Sequence, residues 1–127
     1  MITVKISDVV NSMEILQKLA QQNFKAKLAL SIARILKAVE VEIQTFNTTR
    51  IDLIKKYGTK DENGELITND EGNCIIDPES IEIFNKEFSD LLNTEIEINA
   101  NKINVDLLEE RDFTPSEIAA LEPFLEE

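Results

Sequence analysis

A chain of 127 residues with 43% hydrophobic and 30% charged residues suits one globular domain with its own core and excludes the composition of a disordered chain. It carries no histidine, one cysteine and three glycines, which removes the commonest general base, zinc and iron–sulfur ligand sets, internal disulfides, and P-loop or dinucleotide fingerprints. A net charge of −12 disfavours nucleic acid phosphates and anionic membranes as partners.

The sign of the charge changes near Tyr57-Gly58. Residues 1–60 hold ten bases against five acids, a net of +5, whereas residues 61–127 hold three bases against twenty acids, a net of −17. The expected domain is a single one, 1–127, with a mildly basic helical part (1–58) and an acidic part (59–127). No basic segment followed by an apolar one marks a signal peptide at Met1. No apolar run approaches the ~20 residues that span a bilayer. The expected location is the cytoplasm.

Ile2, Val4 and Ile6 alternate with Thr3 and Lys5, the period-2 pattern of a half-buried strand. Ser7 or Asp8 offers an N-cap. Val9, Met13, Leu16 and Ala20 then follow helical spacing, which predicts a helix over 8–21. Between Phe24 and Tyr57 there is neither Gly nor Pro. Leu28, Ile32, Ile35, Val39, Ile43 and Phe46 step by three or four residues along one stripe. A helix of ~34 residues would reach ~50 Å, more than such a domain needs for its own core. Asn47-Thr48-Thr49 is the expected place for a bend, and its sequon carries no meaning without a secretory signal.

Gly58 reads as a C-cap after Lys55-Lys56-Tyr57. Two short apolar runs, Glu65–Thr68 and Cys74–Ile76, flanked by Gly-containing turns, predict a β-hairpin over 65–76. Asp77-Pro78-Glu79 predicts a helix start, and Ile81, Phe84, Phe88, Leu91 and Leu92 its apolar face to about residue 92. Glu95–Ile98 alternates, and Ile103–Val105 is expected to pair with it or with the N-terminal strand. Thr114-Pro115-Ser116-Glu117 is a capping box with Pro at the first helical position. No internal repeat stands out. The fold class is therefore α+β, mostly α: a long central helix packed by shorter helices, with a hairpin and a small sheet from 2–6 and 94–105.

Carboxylates are the only plentiful reactive groups. Asp61-Glu62-Asn63 and Asn69-Asp70-Glu71 carry oxygens suited to Ca²⁺ or Mg²⁺, but no EF-hand frame fits them, because its sixth position falls on Leu66 or its first on Ile67. Tight turns ask for the same residues, so no cofactor and no metal is expected. Cys74 reads as a buried structural thiol. Tyr57 is expected to anchor the helix end against the hairpin, and Phe84, Phe88, Phe113 and Phe124 to share one core. No catalytic residue is assigned, and the chain is not expected to be an enzyme.

Two sets of residues are candidates for partner binding. The first is the stripe Leu28, Ile32, Ile35, Val39 and Ile43, which, if the helix outruns its own core, would be covered by a second copy in a two-fold dimer. The second is the acidic C-terminal segment with Glu109, Glu110, Asp112, Glu126 and Glu127, which reads either as a solvated surface or as a docking surface for a basic protein.

In the stretches Ile6–Ser12, Ala33–Lys37, Tyr57–Gly64, Phe84–Phe88 with Leu91-Leu92, and Thr114–Leu125, the chain resembles a family of small bacteriophage and prophage proteins. As a location the resemblance implies the host cytoplasm, with incorporation into the virion. The resemblance implies a phage origin and an accessory role acting through protein–protein contacts, most naturally in virion structure or assembly. It carries no activity and no functional residues. An alternative is an acidic inhibitor that docks on a host nucleic-acid-binding protein by phosphate mimicry. A small-ligand or Ca²⁺-binding module is a third.

Overall fold

The structure, a computed structural model, describes residues 1–127. The fold is α+β and mostly helical, in the order β1 (Ile2–Lys5), α1 (Ile6–Ala20), α2 (Ala26–Tyr57), α3 (Ile81–Leu92), β2 (Glu95–Ile98), β3 (Ile103–Asn104), α4 (Pro115–Leu121) and β4 (Leu125–Glu126). Short 3₁₀ turns at Val105–Leu108 and Glu122–Phe124 flank α4. The chain divides into two compact units, Met1–Ile43 with Thr94–Glu127, and Gln44–Asn93. The change of charge near Gly58 falls inside the second of these units. The chain leaves the first unit midway along α2 and re-enters it at Thr94, so the units follow packing rather than the change of charge.

In the first unit β1 pairs antiparallel with β2, with Ile2 opposite Ile98 and Val4 opposite Ile96. Alternation puts Ile2 and Val4 inward and Thr3 and Lys5 outward. Helix α1 follows β1 without a loop. Lys5, rather than Ser7 or Asp8, is its N-cap, and the Asp8 carboxylate accepts the Lys5 N–H at 3.0 Å. The Ile6 N–H donates to the Thr94 carbonyl. Strand β3 pairs with neither β1 nor β2. It runs parallel to β4, Ile103 opposite Leu125, so the C-terminal residues supply the edge.

The core of this unit gathers Ile2, Val4, Val9, Leu16 and Leu19 with Ile98, Leu121 and Phe124. The α2 stripe joins it. Leu28 and Ile32 are buried, and Ile35 and Val39 are 0% exposed within their own chain. Ser12 is also fully buried; its hydroxyl donates to the Val9 carbonyl at 3.0 Å, which removes the cost of an unpaired polar group.

The second unit contains the C-terminal half of α2 and all of α3. Helix α2 stays helical through Asn47–Thr49. The Thr48 and Thr49 hydroxyls donate back to the carbonyls of Gln44 and Thr45 at 3.0 Å, so the helix absorbs them. The expected single phenylalanine core is split. Phe46, Phe84 and Phe88 stack in the second unit, with ring centroids 6.0 Å apart along each step, whereas Phe124 belongs to the core of the first and Phe113 packs against it. The Tyr57 ring meets α3 edge-on to Phe84 at 6.4 Å, and its carbonyl accepts the Asp77 N–H at 2.9 Å.

Between α2 and α3 the expected hairpin is part of a larger device. Three antiparallel bridges, Lys60 to Leu66, Thr68 to Cys74 and Gly58 to Ile76, join three short extended pieces into a closed ring. The ring is an eight-residue repeat, seen three times, that sequence reading misses. Asp61, Asn69 and Asp77 are equivalent, and so are Gly64, Gly72 and Ser80. Each of the first three accepts, through its carbonyl, the N–H of the residue three places on, at 2.8–3.0 Å. The Asp61 N–H donates to Glu65, that of Asn69 to Asn73 and that of Asp77 back to Tyr57. The helix start expected at Asp77-Pro78 is the third of these turns, and α3 begins at Ile81 with Ser80 as its N-cap.

Candidate functional site

Two surfaces stand out from the core, one in each unit. In the second unit, the repeat is held by its own polar side chains. The Asp61 carboxylate accepts the N–H groups of Asn63 and Glu65, and the Asn69 amide oxygen accepts those of Glu71 and Asn73, all at 2.9–3.1 Å. Asp77 instead accepts the Thr59 hydroxyl at 2.6 Å. Gly64 and Gly72 adopt φ +80° and +82°, the left-handed residue that follows a type I turn in a three-residue hairpin loop. Of the oxygens that sequence reading offered to Ca²⁺ or Mg²⁺, those of Asp61 and Asn69 accept these turn hydrogen bonds. Within this hydrogen-bonded ring Ile67 and Ile75 occupy the same repeat position and remain 36% and 39% exposed. Ile81 and Ile83, at the start of α3, are exposed as well. Cys74 is half-buried rather than buried, and its thiol is free.

The acidic C-terminal candidates lie on the first unit. Glu109, Glu110, Asp112, Glu126 and Glu127 are all exposed. Glu117 is the acid there that finds a partner. It receives Lys18 at 2.8 Å and the Thr114 N–H at 2.9 Å; the Lys18 hydrogen bond, then that of Thr114, holds its carboxyl below the usual carboxylate range. In the second unit, the Tyr57 side chain, then Glu87 at 3.9 Å, raises the Lys56 ammonium above its ordinary value.

Arg111 is a residue whose role sequence reading missed. Its guanidinium lies 4.4 Å from the centre of the Phe24 ring and donates to the Asn23 carbonyl and the Gln22 side chain. It thereby ties the segment before α4 to the α1–α2 connection. A surface groove of about 770 Å³ runs beside it, walled by Phe24, Leu28 and Leu107. Its rim mixes Lys25 and Lys27 with Asp106 and Glu110, so it selects for neither sign of charge.

The structure does not bring the α2 stripe to a surface. Leu28, Ile32, Ile35 and Val39 are core, and Ile43 is partly buried against that core. They were expected to face a second molecule because the helix looked too long for its domain. The reason fails: the N-terminal half of α2 is covered by α1, the β1–β2 pair and the C-terminal segment. The opposite side of the same helix is the exposed one. Lys27, Leu30, Arg34, Lys37 and Val41 all face solvent.

The chain matches no known family model, no curated protein and no solved structure. The resemblance to small phage proteins therefore rests on its quoted stretches alone. No helix is long and apolar enough to cross a membrane.

Proposed function

We propose that the protein is a non-enzymatic bacteriophage accessory protein that works through protein–protein contacts in virion structure or assembly. The observation that carries this reading is the repeat of the second unit. A hydrogen-bonded ring presents Ile67 and Ile75 to water side by side, and clustered exposed apolar groups are what a docking surface offers. The acidic surroundings keep such a surface soluble and exclude anionic partners.

The test is genetic and structural. Purified virions should contain the protein in stoichiometric amounts, or deletion of its gene should leave particles that stall at a defined assembly stage. Normal particles and normal yield from the deletion, together with absence from virions, would overturn the reading.

A second reading has its own observation. Glu109, Glu110, Asp112, Glu126 and Glu127 are exposed, so this end of the first unit has the free carboxylates that an acidic inhibitor of a host nucleic-acid-binding protein needs. Capture of such a host protein at ~0.1 M salt, lost at ~1 M as the Debye length falls from ~10 to ~3 Å and lost on neutralising these five residues, would favour it.

A further inference from the structure

The face of α2 opposite the core has a pattern of its own. Lys27, Leu30, Arg34, Lys37 and Val41 recur at intervals of three and four residues, so they share one side of the helix over about 21 Å. Leu30 is 51% exposed and Val41 56% exposed, the most open large apolar side chains of that helix. The three bases make no ion pair; the ion pairs of the protein are Lys18–Glu117 and Lys56–Glu87. In a chain of net charge −12, this is a basic stripe with two apolar anchors.

Complementary chemistry occurs on the same chain. The segment 58–83 holds eight acids and one base, Lys60, and its repeat exposes Ile67 and Ile75 side by side, with the Ile75 N–H bonded to the Ile67 carbonyl at 3.0 Å. Like charges oppose pairing of the basic stripe with its own copy, and they equally oppose pairing of the acidic repeat with its own copy. Stripe against repeat matches both the charges and the apolar anchors.

We propose that copies of this protein associate head to tail, the basic face of α2 on one copy receiving the acidic Ile67–Ile75 surface of the next. Such a contact is heterologous, so it generates a closed ring or an open chain rather than a two-fold dimer. The inference rests on the reading that the protein acts through protein contacts and names the partner as a second copy. Failure of self-association would leave docking on a different virion protein untouched, since that is tested in the particle.

Two variants decide it. Arg34→Glu with Lys37→Glu disables the stripe; Ile67→Lys with Ile75→Lys disables the repeat surface. All four side chains are exposed, and circular dichroism checks that each variant folds. By sedimentation velocity, the wild type should grow in mass with concentration at ~0.1 M salt and shrink at ~1 M. Each variant alone should stay monomeric, and a mixture of the two should form a one-to-one heterodimer, because each retains the surface that the other lacks. A monomeric wild type at every concentration overturns the proposal, as does a wild-type assembly that either variant retains. A mixture that fails to pair overturns the heterologous geometry. Retention of polyanionic RNA or DNA by the wild type but not by the Arg34→Glu, Lys37→Glu variant would assign the stripe to nucleic acid and overturn it too.

Discussion

The Thr59 N–H donates to the Ile75 carbonyl at 2.7 Å, and that bond closes a ring. Ile67 donates to Thr59, Ile75 to Ile67, and Thr59 to Ile75, so three residues eight apart bond to one another in a cycle. Closure gives each short piece two neighbours and leaves no free edge for an unintended strand to pair with.

The ring depends on its glycines in two different ways. Gly64 and Gly72 have open space where a Cβ would go, but their positive φ penalises any other residue. Gly64→Ala and Gly72→Ala should each cost about 1–2 kcal/mol, with Asn in place of Ala recovering part of it. At Gly58 a Cβ would lie 2.5 Å from the Ile54 carbonyl oxygen and from Leu66. Gly58→Ala should therefore damage the ring more than either turn variant. At Ser80 φ is −106°, so Ser80→Gly should bring no gain. Urea denaturation of the four variants checks the order.

Ile35 and Val39 are wholly covered by their own chain. Ile35→Ala should lower stability by about 2–5 kcal/mol. Ile35→Asp with Val39→Asp should unfold the first unit rather than release a soluble monomer, because buried carboxylates would lack partners. A folded, monomeric double variant would contradict this core assignment.

Glu117 is bound by Lys18 and Thr114, which lowers its folded pKa. A lowered carboxyl contributes stability above its unfolded pKa and loses that contribution as pH falls through the folded value. Wild type should therefore exceed Glu117→Gln in stability at neutral pH, with the gap narrowing in acid. The effect should be small, since the pair sits at the surface. Denaturation midpoints of both proteins across the acid range measure it, and an NMR titration of the Glu117 carboxyl should give a low midpoint.

Within Gln44–Asn93 only Phe46 and Gly58 are buried, whereas the other unit holds a contiguous core. Hydrogen exchange should reflect this. Amides of Val9 and Leu16 should outlast those of Ile67 and Ile75, because opening free energies follow local burial. Equal protection in both units would contradict it.

Arg111 sits on Phe24 and bonds to the segment before α2. Arg111→Ala should cost about 1 kcal/mol or somewhat more. Lys should not restore it, since an ammonium lacks the planar fork that both stacks and donates in two directions. A Lys variant as stable as wild type would show that charge alone suffices.

Much of the fold was legible from local chemistry. Helical spacing from Leu28 to Leu53 without Gly or Pro marks α2, alternation marks β1 and β2, and Thr114 with Glu117 marks the start of α4. These signals concern residues a few places apart, where backbone sterics and short-range hydrogen bonds decide the outcome. The repeat lay at the edge of legibility: Asp61, Asn69 and Asp77 recur every eight residues with Gly64 and Gly72, but Pro78 and Ser80 disguise the third copy. Of the candidate surfaces, the exposure of the acidic C-terminal residues was readable from their charge.

Tertiary structure alone decided which face of α2 is the surface. Sequence spacing reveals an apolar stripe equally well whether the cover comes from the same chain or from another. Ile35 and Val39 became core because β1, α1 and the C-terminal residues return to the same unit from both ends of the chain. Burial depends on such long-range return, as does the closing bond from Thr59 to Ile75. Periodicity marks the residues involved, but not which distant part of the chain comes to meet them.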